Sequence, residues 1–175
     1  MELYLVRHTS VKVPADCFYG RTDVEVADTF AAEAADVRKR LEGVSFDKVF
    51  TSPLSRAVKL ATFCGYPEAV RDDRLLETNY GEWELKPFSN EDNPLLQEWY
   101  KDWVNVRPPG GESYMDQYYR VAGFLDEIKH SGLKTVAAFS HGGVLMCAAV
   151  YAGLYTIGTL RNFKCGYGTI LKLEL

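Results

Sequence analysis

Apolar residues crowd three short stretches of this chain, Glu2 to Val6, Lys48 to Thr51 and Thr135 to Phe139. Strands that are apolar on both faces belong inside a parallel sheet covered by helices. The intervening stretches change period. Phe30, Ala34, Val37 and Leu41 recur at helical spacing, and Gly43 follows as a stop. Ser52 and Pro53 read as the N-cap and first residue of a second helix. Ser113 caps a third, with Tyr114, Tyr118, Val121, Leu125 and Ile128 on one face and Gly132 at its end. A mostly apolar helix is predicted from about Gly143 to Leu154. Near the end, Leu160 to Cys165 and Thr169 to Leu175 read as two strands around Gly166 and Gly168, forming an edge hairpin. In the last strand Leu171, Leu173 and Leu175 alternate with Lys172 and Glu174.

The pattern predicts an α/β fold, a three-layer sandwich with a mostly parallel central sheet flanked by helices and an antiparallel edge strand. The 175 residues suit one domain, 1–175. Within it, 85–111 reads as an irregular insertion rich in aromatic residues, with a short helix near Leu95 to Val104. Chain length allows about 70% of the surface to be buried, so the core needs neither disulfide nor metal.

Composition narrows the partners. A net charge of −4 argues against a nucleic-acid binder. No apolar run reaches membrane-spanning length, and the first residues begin directly as a strand without a basic leader. Cys17, Cys64, Cys147 and Cys165 are too scattered for a zinc site and read as reduced thiols of a cytoplasmic protein. Aromatic residues reach 13%, with all three tryptophans between 83 and 103.

Parallel sheets bind ligands beyond the carboxyl ends of their strands. Here those ends carry Arg7-His8, then Ser52-Pro53 with Arg56 in the next turn, then Ser140-His141-Gly142-Gly143. His130 falls near a helix C-terminus and reads as surface. Each residue alone has a structural explanation. Together, two His and two Arg beside helix N-termini form a cationic pocket that suits a phosphate. A neutral imidazole is also a competent nucleophile toward phosphorus. Candidate proton donors lie in the acidic stretch from Asp72 to Glu84.

These residues resemble the histidine phosphatase superfamily, also called phosphoglycerate mutase-like. Five elements occur in the family's order: Arg7-His8-Thr9, Ser52-Pro53-Leu54-Ser55-Arg56, the stretch from Arg74-Leu75-Leu76-Glu77 to Gly81-Glu82-Trp83-Glu84, Pro109 to Ser113, and Ser140 to Gly143. The resemblance implies that His8 becomes a phosphohistidine, that Arg7, Arg56 and His141 surround the phosphoryl group, and that Glu77 is the acid and base. It implies no metal and no organic cofactor. Gly20, Arg21, Thr22 and Gly142 are expected to contact the substrate, a small-molecule phosphate monoester. Arg-His-Thr and the segment Tyr19 to Val24 are most similar to α-ribazole phosphatases, which remove the 5′-phosphate of α-ribazole phosphate during cobalamin nucleotide-loop assembly. The chain departs from the family at Thr9 and at Leu85, where Gly is usual.

Two alternatives stand beside this reading: a broad sugar-phosphate or phosphoglycerate phosphatase or mutase, and a catalytically silent phosphate-binding module. Arg7, His8, Arg56, Glu77 and His141 are all present, which favours an enzyme. Trp83, Trp99, Tyr100 and Trp103 are expected mainly as packing, with one ring available to stack on an aromatic substrate. Oligomeric state is not legible in the sequence.

Overall fold

The structure is a computed structural model and describes residues 1–89 and 93–175. Along β1 (Glu2–Arg7) the side chains alternate between two cores. Leu3 and Leu5 face one, Tyr4 and Val6 the other. The same division runs along β4 (Thr135–Ser140), where Val136 and Ala138 oppose Ala137 and Phe139. Both faces are therefore covered, as continuous apolar strands require. The other strands are β2 (Lys48–Thr51), β3 (Val70–Arg71) and β5 (Ile170–Glu174).

The sheet order is β3-β2-β4-β1-β5. Pairing is parallel except between β1 and β5, which run antiparallel. This is the expected mixed α/β sandwich. One face carries α1 (Phe30–Leu41) and α2 (Ser55–Phe63) through Ala34, Val37, Leu41, Leu60 and Ala61. The other carries α4 (Tyr114–Lys129) and α5 (Gly142–Tyr151) through Val121, Phe124, Leu125, Leu145 and Ala148. Ser113 caps α4 in a reciprocal pair with Asp116. The short helix α3 (Pro94–Lys101) lies in the aromatic-rich segment, capped by Asn93. Part of that segment, 90–92, lies outside the described residues.

Two local expectations are corrected. Ser52 does not cap a helix and Pro53 does not begin one. Leu54 is extended and α2 starts at Ser55, whose N–H donates to Asp23 Oδ1 at 2.9 Å. The Ser52 hydroxyl is engaged elsewhere, 2.7 Å from His141 Nε2. Leu160 to Cys165 is not a strand, and β5 pairs directly with β1 instead of forming a hairpin. Residues Ile157–Asn162 form a 3-10 turn with a reciprocal Thr156–Thr159 cap. That local hydrogen-bond set outweighs the strand propensity, and Leu160 is buried against the α4–α5 layer. β3, only two residues long, had no periodic signal to betray it.

Candidate active site

The parallel register sets Arg7 beside Ser140 and Thr51 beside Phe139, so the ends of β1, β2 and β4 share one edge of the sheet. His8, Ser52 and His141 follow directly. The chain beyond β3 crosses the same edge, where Ser140 Oγ donates to the Leu75 carbonyl at 2.7 Å, and so delivers Glu77. β5 runs the opposite way, so the segment preceding it, 165–169, also lies there. Gly168 N donates to the His8 carbonyl at 3.1 Å.

His8 is 1% exposed. Its Nδ1 lies 2.7 Å from the Thr9 carbonyl, which can only accept. Nδ1 therefore carries the proton and Nε2 keeps its lone pair. Burial, reinforced by Arg56 and Arg7, pushes this imidazole down to about 3. His141 is packed against it with ring centroids 5.2 Å apart. Burial and the neighbouring His8 and Arg56 hold His141 well below its ordinary value. Ser52 Oγ accepts from Leu54 N at 3.3 Å and lies 2.7 Å from His141 Nε2. His141 Nδ1 is buried without a partner.

Both arginines are held by backbone carbonyls. Arg56 is fully buried and donates to Thr22 at 3.0 Å and Gly20 at 2.6 Å. Arg7 donates to the Cys165 carbonyl and lies 4.4 Å from the Tyr167 ring centroid. The Nε of each is buried without a partner. Among the described residues, neither has a carboxylate within ion-pair distance. Two fixed charges without counter-ions beside an uncharged imidazole suit an anion. The N-terminus of α5 adds to it, with Gly142 backing onto the Arg7 guanidinium. Tyr19 and Tyr167 close over the site, their hydroxyls 2.8 Å apart.

Glu77 stands at the rim. One carboxylate oxygen accepts from Thr78 N at 2.9 Å and Gln117 Nε2 at 3.1 Å, the other from Gly143 N at 3.2 Å. A Cβ on residue 143 would lie 2.3 Å from that carboxylate, so only glycine lets the helix start approach so closely. Arg120 fixes the backbone behind it, donating to the Glu77 carbonyl at 3.0 Å and to Glu112 at 2.6 Å.

Gly20, Arg21 and Thr22 have a different placement from direct coverage of the pocket. Their N–H groups converge on Glu84 at 2.9, 2.9 and 3.2 Å, while the Gly20 and Thr22 carbonyls hold Arg56. Burial opposes ionisation of Glu84, but these bonds and one from Tyr80 outweigh it and keep the carboxyl below its usual range. A side chain at residue 20 would collide with the Thr78 carbonyl at 1.7 Å. Arg21 reaches the Glu77 carbonyl at 3.3 Å and lies 3.6 Å from Glu112. His130 is remote and exposed, donating from Nδ1 to the Asp126 carbonyl at 2.7 Å. Ser52, Glu84, Gln117 and Tyr167 escaped the sequence reading as site residues. Of these, Ser52 and Glu84 at least lay within the quoted motifs.

The four cysteines are free. Among the described residues, no cluster of His, Cys, Asp or Glu is arranged to hold a metal ion, and no helix is long and apolar enough to cross a membrane.

A buried imidazole between arginines without counter-ions on a mostly parallel sheet suits phosphoryl handling, and the chain belongs to the histidine phosphatase superfamily (branch 1), whose pattern matches residues 3–175. Members of this superfamily are phosphatases and mutases. The chain is 29% identical over 155 residues to the adenosylcobalamin/α-ribazole phosphatase of Escherichia coli K12, covering 83% of this chain and 75% of that protein. It is 34% identical over 178 residues to a 2,3-bisphosphoglycerate-dependent phosphoglycerate mutase of Methylobacterium sp., covering 90% and 83%. The crystal structure of the α-ribazole phosphatase from Shigella flexneri shares the fold, with a TM-score of 0.89 at 23% identity, covering 100% of this chain and 91% of that one.

Proposed function

We propose that the protein is a phosphomonoesterase that works through a phosphohistidine at His8, with α-ribazole 5′-phosphate as its substrate. The observation that carries the mechanism is the His8 tautomer: Nδ1–H is tied to a carbonyl, so a bare Nε2 stands beside two unpaired guanidiniums. The relative from Escherichia coli and the motif from Tyr19 to Asp23 support the substrate.

In the first step Nε2 attacks phosphorus and the ester P–O bond breaks. Glu77, entering as the acid, gives its proton to the departing alcohol oxygen. Arg7 and Arg56 stabilise charge on the phosphoryl oxygens, and His141 adds an uncharged donor from Nδ1. In the second step Glu77 takes a proton from water, whose oxygen attacks phosphorus. The P–N bond breaks, its electron pair returns to Nε2, and phosphate leaves. Both reactive groups come from the protein, so turnover is expected to survive a chelator.

A substrate panel tests the assignment. Turnover of α-ribazole 5′-phosphate, 3-phosphoglycerate and sugar phosphates is compared by kcat/KM, and the enzyme is trapped with labelled substrate. α-Ribazole 5′-phosphate should rank among the best, with acid-labile, base-stable label on His8. A low rank removes that substrate, and label elsewhere or none at all removes the mechanism. The mutase relative makes isomerisation of 3-phosphoglycerate the second activity to measure.

A further inference from the structure

Beside the phosphate site lies a second cavity of about 350 Å³. Tyr80, Trp99, Trp103, Tyr114 and Met146 line it. It shares Glu77, Tyr80, Gly143 and Met146 with the cavity of about 290 Å³ that contains Arg7 and Gly142. Glu77 therefore sits on the boundary, where the bridging ester oxygen must lie if Glu77 is to protonate it. The second cavity is open to whatever leaves with that oxygen. Its volume falls at the lower end of the roughly 300–1,000 Å³ found for small-molecule sites.

We infer that this cavity is the leaving-group subsite and that it selects a flat aromatic ring without negative charge. The inference rests on the phosphomonoesterase reading, but not on α-ribazole in particular. Its walls decide the chemistry. Trp103 meets Tyr114 edge to face at 5.0 Å, and Trp99 is braced edge to face by Trp83 at 6.0 Å and Phe18 at 5.5 Å. Rings held in this way keep their faces fixed and lose little freedom when a planar ligand arrives. The lining amide and the Glu112 carboxylate are already occupied, while the Tyr114 hydroxyl is buried without a partner. Gln117 is 1% exposed, and its amide is spent on Glu77 and Thr78. Glu112 accepts from Arg120 and from Asn79 N at 2.9 Å.

The charged side chains lining the cavity among the described residues are Glu77 and Glu112, both carboxylates. No Lys, Arg or His lines it among the described residues. A leaving group that carries its own carboxylate, such as serine or glycerate, meets the Glu112 carboxylate and no lining cation to pair with it, while Glu77 enters protonated. An uncharged ring meets apolar faces. The tryptophans thus divide: Trp99 and Trp103 line the subsite, whereas Trp83, 5% exposed, is packing behind it. Tyr100 is not part of the lining, and its hydroxyl donates to the Phe88 carbonyl at 2.6 Å.

The experiment uses esters with the same reacting end. Ribose 5-phosphate, adenosine 5′-monophosphate and α-ribazole 5′-phosphate all leave as a ribose 5′-alcohol, and phosphoserine and 3-phosphoglycerate add a carboxylate. Aromatic nucleotides should exceed ribose 5-phosphate in kcat/KM by about tenfold or more, the scale of one base–aromatic stack. The carboxylate esters should rank below ribose 5-phosphate. Trp99→Leu and Trp103→Leu should each pull the nucleotide-to-ribose ratio toward one. Because either variant could unfold, the wild-type protein is also titrated with the product nucleoside, which should quench tryptophan fluorescence where ribose does not.

If adenosine 5′-monophosphate is favoured but α-ribazole 5′-phosphate is not, the subsite stands and the particular substrate falls. If ribose 5-phosphate or a carboxylate ester matches the nucleotides, the subsite assignment is overturned while phosphatase activity remains. If no ester turns over, the phosphatase reading fails and takes the subsite with it.

Discussion

Arg7 lines one end of the joined cavities, with His8, Arg56 and His141 buried in the same cationic cluster, and at the other end stand Tyr80, Trp99, Trp103, Tyr114 and two acidic side chains. The first end is held by backbone. Arg56 hangs from the Gly20 and Thr22 carbonyls, Arg7 from that of Cys165, and His8 from that of Thr9. The second end is held by rings packed edge to face. Backbone carbonyls are present whatever the side chain, so the anion-binding geometry tolerates change in the residues around it. Ring packing is a matter of side-chain identity. Chemistry and selectivity can therefore diverge separately, consistent with relatives named for different leaving groups.

Substitutions at the cationic end should affect every ester alike. His8→Ala removes the nucleophile and should lower kcat by on the order of 10⁴ or more, on aryl phosphates as on nucleotides, with the fold retained by circular dichroism. Unchanged turnover would sink the mechanism. Glu77→Gln lies on the boundary and should divide the substrates. Alkyl esters should lose roughly 10²–10⁴, because the alcohol must be protonated as it leaves. A nitrophenyl ester, whose leaving group needs no proton, should lose much less in the first step. Equal losses would deny Glu77 the acid role.

Acid titration distinguishes the ends without any substrate. His8, pushed down to about 3, and His141, also depressed, stay neutral in the folded protein, whereas unfolded imidazoles take up protons below their ordinary value near 6.5. Stability is thus independent of these groups above that pH and falls as pH drops from 6.5 toward 3, by up to ~1.4 kcal/mol per pH unit for each imidazole. His8→Asn should flatten the fall in melting temperature between pH 6.5 and 4. An identical slope would mean that His8 is already charged in the folded state.

The smallest effect expected is a gain. Leu85 is the one non-glycine with positive φ among the described residues, at 61°. It is 52% exposed, so little packing is lost on truncation. Leu85→Gly should stabilise by about 0.5–1 kcal/mol, the left-handed strain of a side chain less the added chain entropy of glycine. That corresponds to a melting temperature a few degrees higher at most. A lower one would show that the Leu85 side chain contributes more than its backbone costs.

The cationic end was legible because its residues sit where local patterns end. Arg7-His8 and Ser140-His141 each follow an apolar run, and parallel strands must finish on the same edge. Arg56 was read in the turn after the second strand end, whereas Glu77 needed the family resemblance to single it out of its acidic stretch, since nothing periodic marks it. What stayed hidden depends on contacts between distant loops. Asp23 supplies the cap of α2 from 32 residues away, and that freed Ser52 for His141. Glu84 gathers the N–H groups of Gly20 to Thr22 across more than 60 residues. Such pairings leave no spacing signal. The aromatic end announced itself only as composition, and its division into lining and backing required the packing.

The contacts that cover His8 come from a short stretch just before the edge strand, Cys165 to Gly168, and from one hydroxyl pair, Tyr19 with Tyr167. An edge segment opens by local fluctuation far more readily than the core unfolds. His8 thus meets solvent on the clock of that segment, whatever holds the rest of the sheet. The rate at which a histidine-directed acylating reagent silences the protein is therefore a measure of how often the cover lifts, and amide exchange at Gly168 should report the same event.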